Sequence, residues 1–327
     1  MSKEKKIAFT TSIPVEVIYA AGYIPIDLNN IFINENPINQ VRQAELAGFP
    51  RNICSWIKGM YTIIKNNDFD YIIGVVQGDC SNTHSLMNIL KDENHKILSF
   101  SYPFEKEYIK LNNEIIQLES FFSIDRLATL ETKLKLDKIR KKLIYLDELT
   151  WKTNQVSSLE NHSWLVTSSD FCGDFLKYSD TLDCFINKVI TREPFPKKIR
   201  LGYVGVPPIL SDLYSFIEEN NARIVYNEVQ RQFGMFDLEE DIVKQYLKFT
   251  YPYSIFDRIE DIKKEIKLRN IDGLICYTQS FCHRQLDIIS LKKHIDIPIL
   301  VIEGDQPASL DARTKLRIES FIEMLNP

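Results

Sequence analysis

Short β-type runs alternate with helical patterns at both ends of this chain, and that alternation restricts the fold more than any other feature. Near the start, residues 6–10, 24–28, 71–76 and 96–100 read as strands, and 14–21, 53–65 and 83–90 as helices. Toward the end, 200–204, 223–227, 273–277 and 297–303 read as strands. Helical patterns there cover 210–220, 238–247, 255–268, 285–294 and 310–325. Strands that alternate with helices build parallel sheets with helices packed on their faces. A chain of 327 residues has room for two such lobes, each with its own core.

Between the lobes, residues 105–190 are helical by periodicity and poor in glycine and proline. Over 131–150 the apolar residues Leu134, Leu136, Ile139, Leu143, Ile144 and Leu146 fall close to helical spacing. The stretch 191–198 carries Pro194 and Pro196, which resist continued helix, and reads as a linker. The expected class is therefore α/β, with two Rossmann-like (flavodoxin-like) lobes, parallel sheets and a helical insert between them. The boundaries expected are 1–104 for the first lobe, 105–190 for the helical segment and 191–327 for the second lobe. There is also an internal echo. Residues 7–14 lead through a helix into strand 24–28, and 201–208 lead through a helix into strand 223–227.

Charge and patterning remove several classes of function. The net charge is −5 and no basic stripe runs along the chain, which argues against a nucleic-acid partner. The basic run 133–142 alternates with apolar residues and acids and reads as the solvated face of a helix. No apolar stretch approaches the roughly 20 residues of a membrane helix, and the apolar run 7–9 is too short for a secretory signal. The expectation is a cytoplasmic protein without membrane contact. The segment Gly202-Tyr-Val-Gly205 lacks the third glycine of a dinucleotide fingerprint. No Gly-x-x-x-x-Gly-Lys loop and no Gly-x-Ser-x-Gly elbow is present, so neither the P-loop ATPases nor the serine hydrolases fit.

Six cysteines in a cytoplasmic chain are core residues, reactive thiols or metal ligands rather than a disulfide framework. Cys54 starts a helical pattern, and Cys80 and Cys282 each follow a strand directly. Residues just past the C-terminal ends of parallel strands line the ligand crevice of such lobes, and thiolates suit iron–sulfur sites. Spacing alone carries little, because no Cys-x-x-Cys pair occurs. On spacing alone, each of the three reads first as a buried apolar filler and only second as a ligand. Cys276, inside an apolar strand, reads as core, while Cys172 and Cys184 match no pattern.

The surrounding residues point further. The opening, Thr10-Thr-Ser-Ile-Pro-Val-Glu-Val-Ile-Tyr-Ala-Ala-Gly-Tyr-Ile-Pro-Ile26, resembles that of the 2-hydroxyacyl-CoA dehydratase family, which includes benzoyl-CoA reductase subunits. The tail is similar as well, with Glu303-Gly-Asp-Gln306 followed by Arg317-Ile-Glu-Ser-Phe-Ile-Glu323. Cys54, Cys80 and Cys282 fall where that family places three ligands of a 4Fe-4S cluster. Two departures stand out. Ser81 follows Cys80 where the family often has aspartate, and the extra cysteines of the double-cubane branch are missing, which favours a single cluster.

The resemblance implies an oxygen-sensitive iron–sulfur subunit of a 2-hydroxyacyl-CoA dehydratase or related acyl-CoA reductase. It implies an acyl-CoA substrate, a related dehydratase subunit in a hetero- or homodimer, and an ATP-hydrolysing iron–sulfur activator. Two alternatives stay open: a reductase of a non-CoA small molecule, and a non-catalytic electron-relay subunit. Residues flanking the ligands that fit a tuning role are Asp79, Ser81, Gln279, His283 and Arg284. His283 and Glu303 are the candidates for acid–base work. Their bland readings are a capping histidine and, for Glu303 with Asp305, caps of the 310–325 helix; Pro307 suits a first helical turn. Arg51 and Lys58 read as solvated basic residues, with a role facing a phosphate or the cluster as the alternative. His84 reads as structural.

Overall fold

A computed structural model describes residues 4–326. The chain divides into two compact units. The first comprises Met1–Lys141, Thr167–Asp180 and Met235–Ser254; the second comprises Lys142–Val166, Thr181–Gly234 and Ile255–Pro327.

In chain order the first elements are β1 (Lys6–Phe9), α1 (Val15–Ala20), β2 (Ile24–Asp27), α2 (Leu28–Asn34), α3 (Pro37–Leu46) and α4 (Ser55–Asn66). Next come β3 (Tyr71–Gln77), α5 (Ser81–Asp92) and β4 (Ile97–Ser101), then the helices α6 (Tyr108–Phe121), α7 (Arg126–Trp151), α8 (Ser158–Val166) and α9 (Phe175–Val189). The rest are β5 (Ile199–Val204), α10 (Leu213–Glu219), β6 (Ala222–Asn227), α11 (Glu228–Phe233), α12 (Ile242–Lys248), α13 (Ile255–Arg269), β7 (Gly273–Gln279), α14 (Asp287–His294), β8 (Ile299–Gly304) and α15 (Ala312–Leu325).

The first unit holds a parallel sheet in the order β2-β1-β3-β4, and the second a parallel sheet in the order β6-β5-β7-β8. The two orders are the same topology, so the echo between residues 7–28 and 201–227 is one chain path used twice. Crossover helices cover the strands, which is why β1 and β6 are buried without alternation: Ile7, Ala8 and Phe9 are buried, as is all of β6, Arg223 and Asn227 included. The second unit's core gathers Val204, Val225, Ile259, Ile262, Leu274, Cys276 and Leu291. The two Rossmann-like α/β lobes expected from the sequence are present.

Elements missed by periodicity have local causes. α2 starts directly at the end of β2, with the Asp27 carboxylate accepting from the Asn29 N–H. α3 is launched by Asn36 in the left-handed region with Pro37 at its first position. Two readings of the sequence are corrected. The basic run 133–142 is not simply a solvated face. Lys133 and Arg140 are buried and ion-paired to Asp137, while Leu134 is exposed. Asp305 does not cap the last helix; Asp311 does, its carboxylate accepting from the Thr314 N–H. Among the described residues no helix is long and apolar enough to cross a membrane.

Candidate functional site

Cys54, Cys80 and Cys282 share one structural position: each stands immediately before the first residue of a helical turn. Cys54 caps α4, its carbonyl accepting from the Ile57 N–H at 3.1 Å, and is buried. Cys80 caps α5, and its sulfur accepts a hydrogen bond from the Asn82 N–H at 3.4 Å. Cys282 precedes a 3-10 turn at His283–Leu286 and donates its N–H to the Gln279 carbonyl at 3.1 Å. A helix start presents N–H groups and the positive end of the backbone dipoles, which favours thiolate over thiol. None of the six cysteines is in a disulfide.

Two backbone devices deliver these sulfurs. After β3 the chain turns through Gly78 at φ +90°, where a Cβ would lie 2.8 Å from the Tyr102 Cβ and 2.9 Å from the Pro252 Cβ. After β7 it turns through Phe281 at φ +65°, a conformation costly for a bulky residue. Phe281 is half exposed and immediately precedes Cys282.

In the first unit, the Asp79 carboxylate accepts from the Thr83 hydroxyl at 3.3 Å, tying the turn to α5. Ser81 and His84 are exposed on α5. Arg51 is exposed, but the reading of Lys58 as a solvated residue is wrong. Its side chain is fully buried, pairs with Glu45 at 2.7 Å and donates to the Arg51 carbonyl at 2.9 Å. Lys58 therefore fixes the loop ahead of Cys54.

In the second unit, Gln279 is buried, donates to the Asp305 carbonyl at 2.8 Å and accepts from the Tyr277 hydroxyl at 2.8 Å. Glu303 is exposed and accepts from the Ser280 hydroxyl at 2.7 Å and from Gln285 Nε2 at 3.4 Å. It is thus held by the turn that carries Cys282. His283 is on the surface of that turn; partial desolvation, then the Arg284 guanidinium, holds its pKa below the ordinary imidazole value. Arg284 lies 3.7 Å from Asp287.

Of the remaining cysteines, Cys276 is buried in β7 and burial pushes its thiol up to about 12, while Cys172 and Cys184 are exposed. Among the described residues no group of three or more His, Cys, Asp or Glu side chains is gathered closely enough to hold a metal ion. The donor chemistry of the three capping cysteines nevertheless suits an iron–sulfur cluster, which takes thiolate ligands.

Sequence reasoning missed a buried polar network in the first unit. Glu16, quoted above only as part of an opening motif, is fully buried, pairs with Arg140 at 2.7 Å and accepts from the Tyr246 hydroxyl at 2.8 Å. A lone acid between valines, Val15-Glu16-Val17, was the available signal.

No curated protein matches the chain. The family described as 2-hydroxyglutaryl-CoA dehydratase, D-component, matches residues 10–325, nearly the full length. With two parallel-sheet lobes and three helix-capping cysteines, the chain belongs to the 2-hydroxyglutaryl-CoA dehydratase D-component family.

Proposed function

We propose that this chain is a cytoplasmic, oxygen-sensitive component of a 2-hydroxyacyl-CoA dehydratase and that Cys54, Cys80 and Cys282 hold its 4Fe-4S cluster. The observation that supports the ligand assignment is their shared placement: each stands at the N-cap position of a helical turn, and the Cys80 sulfur accepts a backbone N–H there. A cluster held by these three residues would supply low-potential one-electron chemistry to a CoA thioester, and the ketyl radical this gives would allow loss of a hydroxyl that acid–base chemistry alone cannot remove. The protein's own part is positional. Gln279 and Lys58 hold the cysteine-bearing loops, Asp79 ties the Cys80 turn to α5, and Gly78 admits the tight approach of that turn.

Glu303 and His283 are the proposed acid–base pair. Glu303 is oriented by Ser280 and Gln285, and His283 adjoins Cys282. The reading includes a related dehydratase subunit as partner and an ATP-hydrolysing iron–sulfur activator as electron donor.

The test is iron counting on anaerobically purified protein. About four irons per chain are expected, retained in Cys276→Ala and lost in Cys54→Ser, Cys80→Ser and Cys282→Ser. Native protein without iron, or full iron in all three serine variants, defeats the ligand assignment. Dehydration of a 2-hydroxyacyl-CoA with ATP and the activator then tests the reaction.

A further inference from the structure

The second unit contains a cavity of about 480 Å³ at the N-terminal ends of its strands, the edge of the sheet opposite the one that carries Cys282. Ligands of parallel α/β sheets ordinarily bind beyond the C-terminal strand ends, so this cavity is no part of the site described above. Its lining includes Lys152, Lys197, Lys198, Arg200 and Arg223, with the Trp151 ring as an apolar wall and no acidic residue. The nearby carboxylates only partly offset these charges. Glu148 pairs with Lys152, the Asp272 carboxylate accepts the Arg200 backbone N–H, and Glu218 stands 3.7 Å from Arg223.

Arg223 is the decisive residue. Its side chain is 3 % exposed. Nη2 donates to the Val156 carbonyl at 2.6 Å; Nε has only the long 3.7 Å ion pair with Glu218, and Nη1 finds no hydrogen-bond partner among the described residues. The guanidinium lies under the Phe195 ring, 4.9 Å from its centroid, in the same 191–198 linker that supplies Lys197 and Lys198. A buried guanidinium with unspent donors calls for an anion or water. Burial first, and the neighbouring Arg200 among lesser causes, presses the Arg223 pKa below its ordinary value.

We propose that this cavity binds the phosphate of a small phosphorylated ligand. Five cations converge on a space of drug-like size. A carboxylate offsets one charge, whereas a phosphate or diphosphate supplies two or more charges and several acceptor oxygens for arginine and lysine donors. The ligand's phosphate comes either from a free nucleotide or from the phosphates of CoA, two sources of one chemistry.

Isothermal titration of the full-length protein at low salt tests the site, with inorganic pyrophosphate, ADP and CoA as probes. One pyrophosphate per chain is expected, weakened about tenfold or more in Arg223→Lys and in Lys197→Glu. Lys197 is exposed, so the second variant keeps the test informative if the first fails to fold. Displacement of pyrophosphate by ADP but not by CoA assigns a nucleotide, displacement by CoA assigns the phosphates of CoA bound apart from the cysteine site, and displacement by neither overturns a phosphorylated organic ligand. No heat with any probe, or equal affinity in wild type and both variants, overturns the site.

Discussion

Asp170 and Asp27 meet in the first unit, where the Asp170 Oδ2 accepts the Asp27 backbone N–H at 2.8 Å with both carboxyls buried. Ser169 donates its hydroxyl to Asp27 Oδ2 at 2.6 Å, and Asp170 Oδ1 accepts the Cys172 N–H at 2.9 Å. Burial first, then the Asp27 charge, pushes the Asp170 carboxyl up to about 7, and burial raises Asp27 as well. The folded pair therefore keeps a proton that the unfolded chain releases near pH 4. Its contribution to stability is complete below that pH and is lost as pH rises through about 7. Asp170→Asn carries no titratable proton and should flatten this alkaline decline. It should also cost ~1–3 kcal/mol at pH 5, because one amide cannot accept both backbone N–H bonds. Thermal melts at pH 5, 6.5 and 8 check both; an unchanged pH slope in the variant rejects the shared proton.

His162 in the second unit gives the opposite sign. Burial pushes its pKa down to about 3. Tyr214 donates its hydroxyl to Asn227 Oδ1 at 2.7 Å, leaving its oxygen to accept from the neutral ring, whose Nδ1 is 2.9 Å away. The unfolded imidazole takes up a proton near pH 6.5 and the folded one does not. Stability is therefore complete above about 6.5 and falls as pH drops toward 3, by at most about 1.4 kcal/mol per pH unit. His162→Gln should remove that acid limb. Urea unfolding at pH 7.5 and 4.5 measures it; a variant that loses stability as steeply as wild type contradicts the assignment.

The eight strands and the parallel class were legible because buried parallel strands write continuous apolar runs, as in β3. The placement of Cys54, Cys80 and Cys282 at helix starts and strand ends was legible from the surrounding pattern, while their joint role as ligands is the proposal made above. Periodicity could not place Lys58, Lys133 or Arg140, because a buried cation on a helix carries the same letter as a solvated one. Only the tertiary position of Glu45, Asp137 and Glu16 decides which it is. Arg223 is the same case in a strand. The strand was legible, but the burial of its charge was not.

The Glu16–Arg140 pair should behave as a unit. Both side chains are at or below 2 % exposure, and Tyr246 and Asp137 satisfy further atoms of the network. Removing one partner strands the other charge, so Arg140→Met should cost ~3–5 kcal/mol. The double variant Glu16→Met with Arg140→Met removes both charges and should be more stable than Arg140→Met alone. Urea denaturation of the three proteins decides it. A double variant less stable than the single one would show that the hydrogen bonds of Glu16, rather than charge balance, hold this region.

Gly205 couples β5 to the Cys282 loop. It sits at φ +113°, where a Cβ would lie 2.3 Å from the Tyr277 carbonyl oxygen, and its N–H donates to Glu228 Oε2 at 2.9 Å. Tyr277 belongs to β7, and its hydroxyl fixes Gln279, which is three residues before Cys282. An alanine must push β7 away from β5, since the contact is to backbone and no side chain can yield. The backbone strain adds to that displacement. Gly205→Ala should therefore lose ~3 kcal/mol or more by denaturant unfolding. Under the ligand assignment proposed above, whatever folds should also hold less iron than wild type after anaerobic purification. Wild-type stability together with wild-type iron in this variant would mean that β7 has slack, and that Cys282 is positioned by its own turn rather than by the strand behind it.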